Sequence, residues 1–158
     1  MTPDGSRTPQ QSTEAIRDTT RHPRDADASR QDRLFAAIRA SWSAATSTHG
    51  DAWSPENPSW GQCDASSFVA WEHLGGELVL GEIFVEGDKT EFHYWNRIAG
   101  VDIDLTAEQF DGTEEIRQVA VLTSAEIAAK QGDMRPDVQR RIELLRTAVT
   151  DQLDQWLQ

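Results

Sequence analysis

Cysteine is almost absent from this 158-residue chain, and its scarcity limits the chemistry that the protein can perform. The single cysteine, Cys63, has no partner for an internal disulfide, so nothing in the sequence favours an oxidising compartment. A zinc site needs four nitrogen or sulfur ligands, or three and a water, and one cysteine with four scattered histidines does not give that spacing. The motifs GxGxxG, GxSxG and the P-loop are missing as well. We therefore expect no metal and no cofactor.

Long apolar runs and positive charge are also lacking. No stretch has the apolar core of a signal peptide or the length needed to span a bilayer, so we expect a cytoplasmic protein. The formal net charge is −12, and residues 31–158 carry all of it. Such an acidic surface repels phosphate backbones and anionic lipid head groups, which argues against nucleic acid and membranes as partners. The sequence does not indicate an oligomeric state.

Residues 1–30 contain almost no large apolar side chains and are rich in Ser, Thr, Pro, Asp and Arg. A segment of this composition cannot bury enough surface to offset the entropy lost on ordering. We therefore predict a disordered tail over residues 1–30 and a single domain over residues 31–158, which is long enough to enclose a hydrophobic core.

The apolar pattern of residues 31–158 predicts an α+β fold. Leu34, Ile38 and Trp42 recur every four residues, which indicates a helix, and a loop with two prolines follows over residues 47–60. The stretch "CDASSFVAWEHLGG" predicts a second helix that begins at Cys63. Further elements are predicted in chain order as the strands "ELVLGEIFVEG", "TEFHYWNRI", "GVDIDLT" and "EEIRQVAVLT", the short helix "SAEIAAKQ" and a long amphipathic helix from Pro136. We expect the Cys63 helix and the C-terminal helix to pack on a small antiparallel sheet.

Three polar residues fall on predicted elements in an order that indicates nucleophilic catalysis. Cys63 begins a helix, His93 lies on a strand, and Asp104 lies on the next strand. The positive end of a helix dipole and a nearby imidazolium lower the pKa of a thiol, and the thiolate is the nucleophile. His93 would act as base and then as acid, and a carboxylate would fix its tautomer. The alternative is that Cys63 packs as a small apolar residue and does no chemistry.

The carboxylate partner of His93 has two candidates. Asp102 and Asp104 alternate with apolar residues and share one face of their strand. Pairing of the two strands about Ala99 puts Asp104 roughly opposite His93 and Tyr94, so we prefer Asp104 and keep Asp102 as the alternative.

A second set of residues is expected to bind substrate or to stabilise an oxyanion. The free N–H groups at the start of the Cys63 helix are ready donors, and the Cys63 amide is one of them. Gly61 leaves room for a substrate, and the Gln62 side chain is a candidate second donor. The full set of substrate and oxyanion candidates is Trp60, Gly61, Gln62, Trp95 and Asn96.

Several of these stretches together resemble a known family. The segments "WSAAT", "WSPENPSWGQC", "GGEL", "HYWNR" and "DIDLTAEQF", within residues 34–112, are similar to the YunG-like family of small bacterial proteins. This resemblance implies relatedness and not an activity. More remotely, the order of cysteine helix, histidine strand and aspartate strand is similar to the transglutaminase-like branch of the papain-like superfamily, although this chain is smaller than typical members.

The remote resemblance implies Cys63 as nucleophile, His93 as base and Asp104 as the orienting acid. It also implies a papain-like or transglutaminase-like core and acyl transfer through a thioester, of the peptidase, amidase, deamidase or acyltransferase type. The substrate would then be a peptide, an amide or a small acyl compound. The alternative function is a non-catalytic binding protein on the same scaffold, with an aromatic-lined groove.

Overall fold

A computed structural model describes residues 23–158, and of residues 23–26 and 28 it describes the backbone alone. Most of the predicted disordered tail, residues 1–22, lies outside the described residues. Residues 23–30 form the first turns of helix α1, Pro23–Ala40, so this helix begins earlier than the apolar pattern indicates. The pattern predicts only the part of the helix that packs on the core, because Leu34 and Ile38 are its buried positions.

The predicted α+β class is confirmed. Four antiparallel strands form one sheet in the order β3-β2-β1-β4. The elements after α1 are a 3₁₀ turn (Ala44–Thr46), α2 (Cys63–Leu74), β1 (Glu77–Val85), β2 (Asp88–Ile98), β3 (Val101–Ile103), a second 3₁₀ turn (Ala107–Gln109), β4 (Glu114–Leu122), α3 (Ser124–Asp133) and α4 (Pro136–Trp156). Both α2 and the four predicted strands therefore exist where the sequence indicates them.

The Cys63-bearing helix α2 packs on the sheet, as expected. The Asn96 side chain on β2 donates a hydrogen bond through Nδ2 to the carbonyl of Ser67, at 2.9 Å, and the rings of Phe68 and Tyr94 meet edge to face. Alternation along β2 directs Tyr94 and Asn96 toward α2, whereas His93 projects from the opposite face. The start of α2 nevertheless reaches this part of β2, because the backbone N–H of Tyr94, the neighbour of His93, donates a hydrogen bond to the Cys63 thiol.

The expectation that the C-terminal helix packs on the sheet is wrong. Helix α4 packs chiefly on α1 and α2, where Ile142, Leu145 and Val149 join the same buried cluster as Phe68. The sheet face is already covered by α2, so the apolar stripe of α4 is buried by a layer of helices instead. None of the described helices combines the length and apolar character that crossing a bilayer requires.

Candidate functional site

Cys63 and His93 line one cavity, of about 270 Å³. Its walls come from the loop before α2, the start of α2, neighbouring parts of β1 and β2, and the second 3₁₀ turn. Cys63 is the first residue of α2 and is half-buried. The two residues that the sequence singles out as nucleophile and base are thus brought to one enclosed space, although they are thirty positions apart in the chain.

His93 is held by Asp104. Its Nε2 lies 2.7 Å from Oδ2 of Asp104, and the histidine side chain is only 1 % exposed. The ring of Trp95 stacks on the imidazole, and the ring of Phe110 meets it edge-on at a centroid distance of 4.8 Å. The other nitrogen, Nδ1, is buried and has no hydrogen-bond partner among the described residues. Buried polar atoms rarely lack a partner, and Cys63, which lines the same cavity, does not hydrogen-bond to this nitrogen.

Asp104 is oriented by the chain that follows it. Its Oδ1 accepts hydrogen bonds from the backbone N–H of Thr106 at 3.1 Å and from the Thr106 hydroxyl at 3.3 Å. Asp102, the alternative, binds Arg97 and accepts a hydrogen bond from Nε1 of Trp95 instead. The structure therefore puts Asp104, the preferred candidate, against His93. Strand β3 ends at Ile103, which lets the Asp104 side chain leave the sheet pattern and reach the imidazole.

Gln109 links the carboxylate to the loop before Cys63. Its Nε2 donates to the Thr106 hydroxyl at 3.0 Å, and its Oε1 accepts from the Gly61 backbone N–H at 3.4 Å. Sequence analysis does not identify Thr106 or Gln109, which sit in "DLTAEQF" without a periodic signal. Together these residues connect the segment that precedes Cys63 with the partner of His93.

The expectation of a lowered thiol pKa at Cys63 is wrong. Burial raises the pKa of Cys63 to about 12, and the carboxylates of Asp64 and Asp104 add to this increase. Hydrogen bonding from the backbone N–H groups of Tyr94 and Asp64 acts in the opposite direction but is weaker. Because loss of the thiol proton to solvent is unfavourable at neutral pH, a thiolate at this position needs a base that accepts the proton and stays beside it.

Arg141 compensates the carboxylate next to Cys63. Its two terminal nitrogens donate to the two oxygens of Asp64, at 2.7 and 2.9 Å, and both side chains are largely buried. This bidentate pair joins α4 to the first turn of α2 across seventy-seven positions of sequence. Sequence analysis misses this contact, because Arg141 lies on the buried side of α4, one turn before Leu145, and no pattern shows which carboxylate it meets there.

Two of the expected substrate residues serve the scaffold instead. Gln62 is fully buried, its Nε2 donates to the carbonyl of Ser43, and its Oε1 accepts from the hydroxyl of Thr46. Asn96 is buried against α2 and donates to Ser67. Neither residue lines the cavity, so the prediction of Gln62 as a second oxyanion donor is wrong.

Of the other three substrate candidates, only Gly61 lines the cavity. It has a positive φ of 70°, and a Cβ there would collide with the hydroxyl of Ser47, so the missing side chain makes room for Ser47. The ring of Trp95 stacks on that of His93, and the ring of Trp60 lies tilted against that of His49, with centroids 5.3 Å apart. The two tryptophans therefore contact histidines of the cavity wall without lining the cavity themselves, and a substrate role for Gly61 stays a prediction.

A second histidine, His49, lines the same cavity near its mouth. Its Nε2 lies 2.7 Å from Oε1 of Glu91 on β2, and both side chains are exposed. Sequence analysis assigns His49 only to a loop, since no pattern relates it to Glu91. His73, at the end of α2, lines a different cavity. Among the described side chains, no three His, Cys, Asp or Glu residues cluster so that they could hold a metal ion.

Comparisons with known proteins agree with the resemblance seen in the sequence. A family model described as YunG protein matches residues 30–154. The Bacillus subtilis (strain 168) protein named "Uncharacterized protein YunG" is 34 % identical over 82 residues, which are 52 % of this chain and 64 % of that protein. The aligned region therefore covers somewhat less than two thirds of the relative. No solved structure gives a significant match.

Proposed function

The chain belongs to the YunG family, and from the geometry of its cavity we propose that it is a cysteine-dependent acyl-transfer enzyme. The observation that carries the proposal is the state of His93. One nitrogen of this buried imidazole is fixed by Asp104, and the other has no partner in a cavity that Cys63 also lines. A histidine oriented in this way beside a thiol is the arrangement that nucleophilic catalysis by cysteine requires.

In the proposed reaction, His93 acts as a general base on a neutral thiol. As Sγ of Cys63 attacks the carbonyl carbon of an amide, the thiol proton passes to Nδ1 of His93. The resulting imidazolium is stabilised by Asp104 and then protonates the leaving amine, so that a thioester remains on Cys63. Water or a second amine attacks this thioester, His93 takes its proton, and the acyl group leaves as an acid or a new amide while the thiol is regenerated.

The oxyanion of the tetrahedral intermediate would lie at the first turn of α2. The first N–H groups of a helix have no partner within the helix, and the helix dipole favours negative charge there. The backbone N–H of Cys63 is the proposed donor, and the backbone N–H groups of Tyr94 and Asp64 already hydrogen-bond to the Cys63 sulfur. The neighbouring Asp64 carboxylate would oppose an anion, and its bidentate pairing with Arg141 reduces that repulsion.

The remote likeness to transglutaminase-like enzymes supports the same proposal. The Cys63 helix, the His93 strand and Asp104, which follows the end of β3, come in that order along the chain. Cys63 and His93 line one cavity, and Asp104 binds His93 from outside its lining. The likeness is an analogy at the level of the fold, whereas the proposed chemistry depends on the residues.

The proposal is tested by the rate at which iodoacetamide alkylates Cys63, followed by intact mass as a function of pH. The chain has no other cysteine, so each adduct reports this site alone. We expect the native protein to react rapidly at pH 7, because His93 accepts the thiol proton as the sulfur attacks. In His93→Gln the rate at pH 7 should fall sharply and climb steadily with pH, because a buried thiol whose pKa is raised to about 12 must then ionise without a base beside it.

His73→Gln is the matched control, since His73 lies on the Cys63 helix but lines another cavity. It should leave the pH profile unchanged. Slow alkylation of the native protein that His93→Gln does not alter would overturn the proposed enzyme. A positive result should be followed by p-nitrophenyl acetate, which should give a transient acetyl adduct on Cys63 that is absent from His93→Gln.

The raised pKa of Cys63 favours a second candidate function, a non-catalytic binding protein. On this alternative the thiol is an inert part of the wall, and the unpartnered Nδ1 of His93 binds a ligand instead. The same alkylation profiles distinguish the two functions, because an inert Cys63 would react at a rate that depends only on its own ionisation.

A further inference from the structure

We propose that the cavity selects substrates with a cationic group, an ammonium or a guanidinium, near the carbonyl that Cys63 attacks. The attack by Cys63 rests on the proposed function, whereas the preference for a cation depends only on the residues that line the cavity. It names a substrate class: amides or esters of basic amino acids, basic peptides or polyamine conjugates.

The charged residues that line the cavity are the basis of the inference. Apart from its two histidines, the ionisable side chains that line it are those of Asp64 and Glu91, with the Cys63 thiol and the Tyr94 hydroxyl. No lysine or arginine is among the described residues that form its wall. The two carboxylates differ in their partners, and this difference decides which of them is available to a ligand.

Asp64 is already neutralised. Both of its oxygens accept from the guanidinium of Arg141, and Oδ1 also accepts from the backbone N–H of Ala65. The exposed fraction of the Asp64 side chain is 14 %. A bidentate, largely buried ion pair of this kind has little net charge to offer to a substrate.

Glu91 is not compensated in the same way. Among the described residues its ion-pair partner is His49, through a single contact between Nε2 and Oε1. Lys89, two residues earlier on β2, is held by Glu82 at 3.1 Å and lies over the ring of Phe92. A substrate cation that displaces His49 would therefore find a carboxylate for which no described lysine or arginine competes.

The surroundings of Glu91 also suit a cation. Tyr94 lines the same cavity, and aromatic rings attract ammonium and guanidinium groups, whereas the ring of Phe92 already holds the ammonium of Lys89. The net charge of −12 raises the local concentration of cations in general. A test must therefore distinguish the effect of Glu91 on cation binding from the effect of the net charge of the protein.

The experiment uses three methanethiosulfonates that differ in charge: the cationic trimethylammonium-ethyl, the neutral methyl and the anionic sulfonatoethyl reagents. With each reagent the sulfur of Cys63 forms a mixed disulfide, methanesulfinate leaves, and the thiol proton goes to His93 or to buffer. Rates on the full chain are divided by those on 2-mercaptoethanol, which removes the intrinsic differences between the reagents. We expect the normalised rate to be roughly tenfold higher for the cation than for the anion.

Glu91→Gln should remove most of this preference. The matched control is Glu115→Gln, which removes the same charge from an exposed ion pair, with Arg117, on the other edge of the sheet. The control should keep the preference. An equal loss in both variants would assign the selectivity to net charge alone and overturn the inference.

The outcomes separate this inference from the proposed function. If iodoacetamide labelling depends on His93 but the three reagents show no cation preference, the enzyme proposal stands and the inference fails. If labelling is independent of His93 but the cation is preferred and Glu91→Gln removes the preference, the cavity selects cations while the acyl-transfer chemistry is wrong.

Discussion

Two histidines line the cavity, and each has Nε2 at 2.7 Å from a carboxylate oxygen, yet their surroundings differ. The His93–Asp104 pair is 1 % and 24 % exposed, whereas the His49–Glu91 pair is 37 % and 44 % exposed. Asp104 has further donors from Thr106, and no comparable partner supports Glu91. Equal distances therefore do not imply equal energies, because burial and additional hydrogen bonds set what a pair contributes. The inner pair, His93–Asp104, holds one orientation of the imidazole, and we expect the outer pair, His49–Glu91, to be exchangeable.

The largest expected effect is on the rate of Cys63 alkylation, which should depend strongly on His93 and weakly on His49. His93→Gln should lower the rate of Cys63 alkylation at pH 7 by roughly a thousandfold, because it removes the general base. His49→Gln should change it by less than about threefold, since exposed ion pairs contribute little. Parallel intact-mass time courses measure both. Comparable losses in the two variants would contradict the distinction between an inner and an outer pair.

A third ion pair, Arg141–Asp64, tests whether the contribution of a pair to the free energy of unfolding depends on its burial and not on the presence of a histidine. Arg141→Met should reduce the free energy of unfolding by about 3 kcal/mol, because it leaves Asp64 buried without its partner. Urea denaturation at pH 7 measures this loss. Arg135→Met, which breaks a fully exposed pair with Asp137, is the matched control and should be nearly neutral. Addition of Asp64→Asn to Arg141→Met should restore part of the stability.

Asp104→Asn removes the charge of the inner pair while it preserves the shape of the side chain. We expect about 2 kcal/mol lower stability, because hydrogen bonds to charged groups are lost, and a tenfold to hundredfold slower alkylation of Cys63, since His93 loses its orienting partner. Asp102→Asn should leave the alkylation rate unchanged, because Asp102 binds Arg97 and Trp95. A loss of rate in Asp102→Asn equal to that in Asp104→Asn would show that the wrong carboxylate was assigned.

The smallest expected effect concerns the outer pair. His49→Gln should change the free energy of unfolding by about 0.5 kcal/mol or less. In 1 M salt, where the Debye length is about 3 Å, the difference from the native protein should disappear. Thermal denaturation at low and high salt measures it. A large, salt-independent loss would mean that His49 is a fixed part of the fold.

Secondary structure was predictable from this sequence, because periodic apolar residues and helix-ending glycines determine it locally. The helix that begins at Cys63 is an example: Phe68 and Leu74 mark its apolar side, and Gly75 ends it. The packing partner of α4 was not predictable. Its stripe of Ile142, Leu145 and Val149 shows which side is buried but does not show which element covers it.

Within the site, predictability depended on how far each contact reaches. The sequence indicates that Asp104 lies near His93, because the strands on either side of Ala99 pair. The observed ladder is shifted by one residue from the expected pairing and ends at Asn96 and Ile103, so the contact between Asp104 and His93 is made beyond the strand and does not follow from register. The Gln62 amide binds groups sixteen and nineteen positions away, and no pattern reports such contacts. The rise in the pKa of Cys63 depends on burial and on nearby carboxylates, which the helix start alone does not reveal.

The Arg141–Asp64 pair also limits where the protein can be truncated. The recognisable motifs end near residue 112, and a truncated fragment that stops after β4 would keep Cys63, His93 and Asp104. It would lose Arg141, and the first turn of α2 would then hold an uncompensated carboxylate beside the nucleophile. A fragment whose ends are chosen from the motifs alone would therefore lack the arginine that neutralises Asp64.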